Sequence, residues 1–305
     1  MKVQWEGVMP AVTTKFNADD TLDLVTFEKN IVAQLEAGVN GIILGGTLGE
    51  ASTLTPDEKE TLVKKTVEIT AGKVPVIINI AEQSTKEAIK VAQLAEEWGA
   101  QGLMLLPPMR YKATDHETVV YFKAIANSVA LPIMIYNNPV DYKIEVTLAM
   151  FEELLADCPN IEAVKESTRD ITNVTRLKNK FGDRIKILCG VDTLALESIV
   201  AGADGWVAGL VAAYPAETVA IYKLVKSGDI AEALRIYRWF MPLLELDISP
   251  QLVQNIKMAE VATGLGTEFV REPRLPLQGE ERARVQSIID NAMANRPALV
   301  DYQAL

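Results

Sequence analysis

Short apolar runs rich in β-branched residues alternate with longer amphipathic segments over the first 225 or so positions. The runs are 7–14 (GVMPAVTT), 40–46 (NGIILGG), 74–80 (VPVIINI), 102–108 (GLMLLPP), 131–138 (LPIMIYNN), 161–167 (IEAVKES), 185–190 (IKILCG) and 204–210 (DGWVAGL). Apolar residues between them recur at helical spacing. Two of these segments carry readable starts. Thr55 precedes Pro56, which suits a first helical position, and Ser84 stands three residues before Glu87 at capping-box spacing. Parallel strands need long crossovers, which helices supply, and eight such units favour a closed barrel over an open sheet. After position 225 the pattern becomes helical only, in AEALRIYRWFMPLLEL, QLVQNIKMAEVATGLG and EERARVQSIIDNAMA. The pattern therefore predicts a (β/α)8 TIM barrel over 1–225 with a three-helix C-terminal appendage, 226–305, packed on it.

Composition narrows the function. The 305 residues are 49% hydrophobic and 23% charged, with a formal net charge of −11, and Lys and Arg are scattered among acids. Such a surface repels phosphate backbones and argues against nucleic-acid binding. No stretch has the length or apolarity of a membrane span, and MKVQWEGVMP lacks the features of a signal peptide. The expected location is cytoplasmic. Cys158, Cys189 and His116 show no metal-ligand spacing, so no metal site is expected.

In a (β/α)8 barrel the reactive groups project from the C-terminal ends of the strands. Lys165 ends the sixth apolar run. In a partly desolvated barrel mouth its amine is a nucleophile for a carbonyl or imine carbon; otherwise it snorkels to solvent or pairs with Glu162 or Glu166. Tyr136 ends the fifth run, one βα unit earlier, where a phenol can shuttle protons to groups held on the lysine or simply pack. The second run ends in Gly45-Gly46-Thr47-Leu48-Gly49-Glu50. Its glycines allow backbone amides to converge on an anion, and the Thr47 hydroxyl can bond a phenol or a ligand. The turn lacks the Gly-Lys-Ser/Thr of a nucleotide loop, and its plain alternative is a strand-to-helix connection.

Together these motifs resemble the dihydrodipicolinate synthase and N-acetylneuraminate lyase superfamily, the Schiff-base-forming class I aldolase group. The resemblance rests on Gly46-Thr47-Leu48-Gly49-Glu50, Tyr136-Asn137-Asn138-Pro139 and Val164-Lys165-Glu166-Ser167, and runs from about residue 7 to 295. It implies that Lys165 forms a Schiff base with a small 2-oxo acid or cyclic imine carboxylate, and that Tyr136 relays protons. It further implies that Thr47 orients the Tyr136 phenol and that the amides around Gly46, Thr47 and Leu48 hold the substrate carboxylate. Asn138 and Asp141 are expected at the substrate as well. No cofactor is implied, and the implied assembly is a homotetramer, a dimer of dimers.

Three positions depart from the synthases of that superfamily. Leu48 stands where they carry a second hydroxyl residue. Pro107-Pro108-Met109 replaces their Pro-Tyr-Tyr, with Tyr111 displaced nearby, and Asp141 falls near the place of their substrate-binding arginine. The stretches GVMPAVTTKFN, YNNPVDYKIEVT, YRWFMPLLELD, LVQNIKMAE and REPRLPL resemble instead the 1-pyrroline-4-hydroxy-2-carboxylate deaminases of 4-hydroxyproline breakdown. That likeness implies ring opening by Lys165, dehydration, and hydrolysis to 2-oxoglutarate semialdehyde and ammonia. The alternatives are a 2-keto-3-deoxy sugar acid aldolase or dehydratase, dihydrodipicolinate synthase itself, and a non-enzymatic carboxylate sensor.

Overall fold

The structure is a computed structural model describing residues 2–108 and 111–305. Met109, part of the departure noted above, lies outside the described residues. Eight parallel strands form one sheet: β1 (Gly7–Pro10), β2 (Ile42–Leu44), β3 (Val76–Ile80), β4 (Gly102–Leu105), β5 (Ile133–Asn137), β6 (Ile161–Glu166), β7 (Lys186–Cys189) and β8 (Gly205–Ala208). From β2 to β8 each strand pairs with the next in sequence, and β8 pairs with β1. A parallel bridge between Ala11 and Ile43, with the Val12 amide donating to the Ile43 carbonyl at 3.1 Å, brings β1 to β2. The expected (β/α)8 barrel is present. Its strands are buried on both faces because helices cover the outside, which is why they read as continuous apolar runs rather than alternating ones. They are shorter than the runs, which extend into the flanking loops.

The helices are α1 (Leu24–Ala37), α2 (Pro56–Thr70), α3 (Thr85–Glu97), α4 (Asp115–Ala126), the single turn α5 (Pro139–Tyr142), α6 (Leu148–Asp157), α7 (Thr172–Phe181), α8 (Ala195–Val200), α9 (Pro215–Ser227), α10 (Ile230–Leu244), α11 (Leu252–Ala262) and α12 (Gly279–Ala294). Local side-chain chemistry starts several of them. Thr55 and Glu58 form a reciprocal capping box at α2, and Thr114 and Glu117 form another at α4. The box expected at Ser84 is half made: Ser84 accepts from the Glu87 amide at 3.2 Å, while the Glu87 carboxylate turns to Lys90 instead.

The last barrel helix, α9, ends at Ser227, two residues beyond the expected boundary at 225. The three helices that follow pack against the barrel. The Tyr237 hydroxyl on α10 donates to the Asp192 carbonyl at 2.9 Å, and Trp239 donates to the Ala292 carbonyl of α12 at 3.0 Å. From α11, Lys257 reaches Glu50 at 2.6 Å, with both side chains fully buried. No helix among the described residues is long and apolar enough to cross a membrane.

Candidate active site

Parallel pairing of β5 with β6 sets Tyr136 directly beside Lys165. The Lys165 amine lies 4.0 Å from the centre of the Tyr136 ring, and both residues are more than 90% buried. Burial holds the amine below the ordinary lysine range, against the opposing pull of Tyr142, Asp247 and Asp192. A lysine so placed carries a larger fraction of free amine near neutrality than an exposed one. Burial also pushes the Tyr136 phenol up to about 12, partly offset by its hydrogen bond with Asn138, so it stays protonated and able to donate.

The space around the lysine depends on Gly190 at the end of β7. A Cβ there would stand 2.2 Å from the Ser167 hydroxyl oxygen, 2.6 Å from Lys165 Cγ and 2.7 Å from Lys165 Cε. Only glycine leaves the lysine this course.

The turn after β2 owes its shape to Gly45 and Gly49. Gly45 has φ of +66°, and a Cβ on Gly49 would meet the Gly45 backbone nitrogen at 3.0 Å. Gly46 is free of both constraints; it lines the cavity, and its missing side chain leaves room there. The turn is anchored by the Thr14 hydroxyl donating to the Gly49 carbonyl at 2.7 Å and the Asn79 amide donating to the Gly45 carbonyl at 3.0 Å. Among the described residues, the backbone N–H groups of Thr47 and Leu48 find no acceptor. They are the donors that a ligand anion can use.

Gly46, Thr47, Leu48, Tyr136, Asn138, Asp141 and Lys165, the seven residues expected at the site, all line one cavity of about 100 Å³ at the C-terminal end of the barrel. Their partnerships differ from expectation at two places. The Thr47 hydroxyl shares a hydrogen bond at 3.3 Å with the phenol of Tyr142, not with Tyr136. Tyr142 stands edge-on to Tyr136, ring centres 5.5 Å apart, so Thr47 touches the Tyr136 ring only through this second tyrosine. Asn138 is occupied by the protein: its amide donates to the Tyr136 hydroxyl at 3.2 Å and to Asp141 Oδ2 at 2.7 Å, while its carbonyl caps α5. It positions the phenol and the Asp141 carboxylate.

Three lining residues were not among those expected at the site. Arg169, on the β6–α7 loop, is exposed at the rim with φ of +65°. Asp247 comes from the 3₁₀ turn Glu245–Ile248 between α10 and α11. Asn79 ends up at the mouth near the end of β3. Asp192 lies beneath them, fully engaged by the Trp206 indole and the backbone amides of Gly209 and Leu210 at 2.8–3.2 Å. Tyr111 is exposed and does not line this cavity within the chain.

A sequence profile described as the Dihydrodipicolinate synthetase family matches residues 4–292. The 4-hydroxy-tetrahydrodipicolinate synthase of Exiguobacterium sibiricum is 35% identical over 279 residues, covering 92% of this chain and 94% of that protein. The 4-hydroxy-tetrahydrodipicolinate synthase of Methylacidiphilum fumariolicum superposes with a TM-score of 0.90 at 27% identity, covering 95% of this chain and 96% of that one. The chloride-inhibited dihydrodipicolinate synthase of Acinetobacter baumannii, solved in complex with pyruvate, gives 0.90 at 26% identity, covering 95% and 99%. These relatives carry the synthase name, the alternative against which Leu48, the 107–109 stretch and Asp141 argued; none of the three is named a pyrroline deaminase.

Proposed function

The chain belongs to the dihydrodipicolinate synthetase family, and from that membership and the chemistry of its barrel mouth we propose that Lys165 forms a Schiff base with a small 2-oxo acid or cyclic imine carboxylate. The observation that carries this is the buried Lys165 amine, lowered in pKa and held against Tyr136 at the end of β6. The free amine adds to the keto or imine carbon. Water or the ring nitrogen leaves, and the resulting iminium draws electrons so that a proton can depart from the adjacent carbon. Tyr136, oriented by Asn138, relays protons around that carbon. The unpaired amides of Thr47 and Leu48 receive the substrate carboxylate, fixing the reacting carbon over the lysine.

Two finer activities divide the observations. The names of the relatives support 4-hydroxy-tetrahydrodipicolinate synthase, and Arg169 at the rim offers a cation to a second acidic substrate. A dehydrating and deaminating activity on 1-pyrroline-4-hydroxy-2-carboxylate is favoured by Leu48, which removes a hydroxyl from the mouth, and by the carboxyl groups of Asp141 and Asp247 that line it. Product analysis separates them. Release of ammonia and 2-oxoglutarate semialdehyde from the pyrroline supports the second, and formation of 4-hydroxy-tetrahydrodipicolinate supports the first. Lys165→Ala is expected to abolish whichever turnover is found; substantial residual activity would remove the Schiff base from the account. Family membership also supports the homotetramer, for which light scattering should give about four times the 33.4 kDa chain mass.

A further inference from the structure

The Asp247 carboxyl reaches the cavity from outside the barrel strands, on the turn linking α10 to α11. It is seated over the end of β8. A Cβ added to Gly209 would lie 2.6 Å from Asp247 Oδ1 and 3.0 Å from Leu48 Cδ1, so the carboxyl and the leucine flank the same glycine. Among the described residues no donor of the protein bonds Asp247, whereas the other two carboxylates nearby are held. Asp141 is bonded by Asn138, and Asp192 by Trp206 and two backbone amides. A polar group that faces a small reactive cavity with no partner of its own is available to a ligand.

We infer that Asp247 is the proton donor to the oxygen that leaves the carbon two bonds from the imine carbon, making this barrel mouth an eliminating one. The inference rests on the Schiff-base reading and takes its dehydrating branch. Once Lys165 is joined to the imine carbon and a proton has left the next carbon, the intermediate is an enamine bearing a hydroxyl one carbon further on. The nitrogen lone pair re-forms the C=N bond, and the enamine C=C pair moves one bond outward. The C–O bond breaks, and the departing oxygen takes the Asp247 proton and leaves as water. The proton removed earlier restores Asp247, so the net change is loss of one water.

The surroundings suit that task. Burial and the charges of Asp192 from the β7–α8 segment and Asp141 from α5 push Asp247 well above the usual carboxylate range, while Lys165 from β6 opposes them. Tyr136 and Arg169 complete the ionisable groups that line the cavity with it. Asp247 is thus pushed toward its acid form, and the iminium that re-forms on Lys165 as the C–O bond breaks favours the carboxylate left behind. Leu48 contributes an apolar wall where a hydroxyl would solvate that anion. General acids of this kind are worth on the order of 10²–10⁴ in rate.

The test uses Asp247→Asn in the full chain, with two readouts. Deuterium exchange into the methyl group of pyruvate reports imine and enamine formation alone, and ammonia release from 1-pyrroline-4-hydroxy-2-carboxylate reports the complete reaction. The expected result is exchange within about twofold of the unmodified protein and ammonia release reduced about 100-fold or more. The unmodified protein is expected to lose kcat as pH rises and Asp247 ionises, Asp247→Asn to lack that decline, and Asp247→Glu to recover part of the rate. Ammonia release within threefold of the original would overturn the assignment, as would equal loss of exchange and release, which marks a structural role. An unmodified protein that exchanges pyruvate but releases no ammonia overturns the Asp247 role and leaves Lys165 standing. One that does neither removes the reading beneath both.

Discussion

A methyl group at Gly190 would overlap Lys165 Cγ and Cε and the Ser167 hydroxyl, so the lysine's trajectory is fixed by a residue with no chemistry of its own. Gly190→Ala is expected to leave the far-UV circular dichroism unchanged while slowing imine formation with pyruvate about 100-fold, the scale on which a displacement of about 1 Å costs rate. Imine formation at the original rate would mean that the lysine has another course. The placement of Lys165 and Tyr136 at the mouth was legible in the sequence, because both end apolar runs and sit in motifs that resemble the superfamily. Gly190 and Asp247 were not. Glycine after a strand is commonplace, and the Leu246-Asp247-Ile248-Ser249 stretch reads as an ordinary polar turn. What distinguishes each is a neighbour dozens of residues away.

Among the elements, the turn from Gly45 to Glu50 shows where local reading stops. Its position after β2 and its glycines were legible, but which glycines are required was not: positive φ at Gly45 and close approach at Gly49 are facts of the folded backbone. Glu50 could have been structural or functional. It is fully buried, with φ of +51°, and accepts from Lys257 at 2.6 Å and from the Arg271 amide at 3.0 Å. Burial lowers the Lys257 amine to about 8 even with Glu50 beside it. Removing one member of a buried pair strands the other, at a cost of about 3–5 kcal/mol. Glu50→Gln should therefore shift the urea midpoint by that equivalent and disturb the turn after β2; an unchanged midpoint would show that the pair adds nothing to the hold of α11 on the barrel. The Thr47 partnership could not be read either, since it depends on α5 folding Tyr142 back over Tyr136.

At the scale of the molecule, eight apolar runs separated by helical patterns were enough to specify the barrel, because strand count and parallel connection leave few closed arrangements. The helical character of the last segment was equally plain from apolar spacing. Its contribution to the site was not, because Asp247 reaches the mouth, and Lys257 reaches Glu50 in the turn after β2, through tertiary packing rather than any sequence period. The barrel places Lys165 and Tyr136 at the mouth, and the turn between the appended helices α10 and α11 brings Asp247 to the same cavity. That division depends on Lys165 being the covalent centre. The most direct test is to incubate the protein with pyruvate, reduce with borohydride, and locate the added mass by peptide mapping. The account predicts one reduced pyruvyl adduct, on Lys165, absent from Lys165→Ala. No adduct, or an adduct on another lysine that survives the substitution, would contradict it.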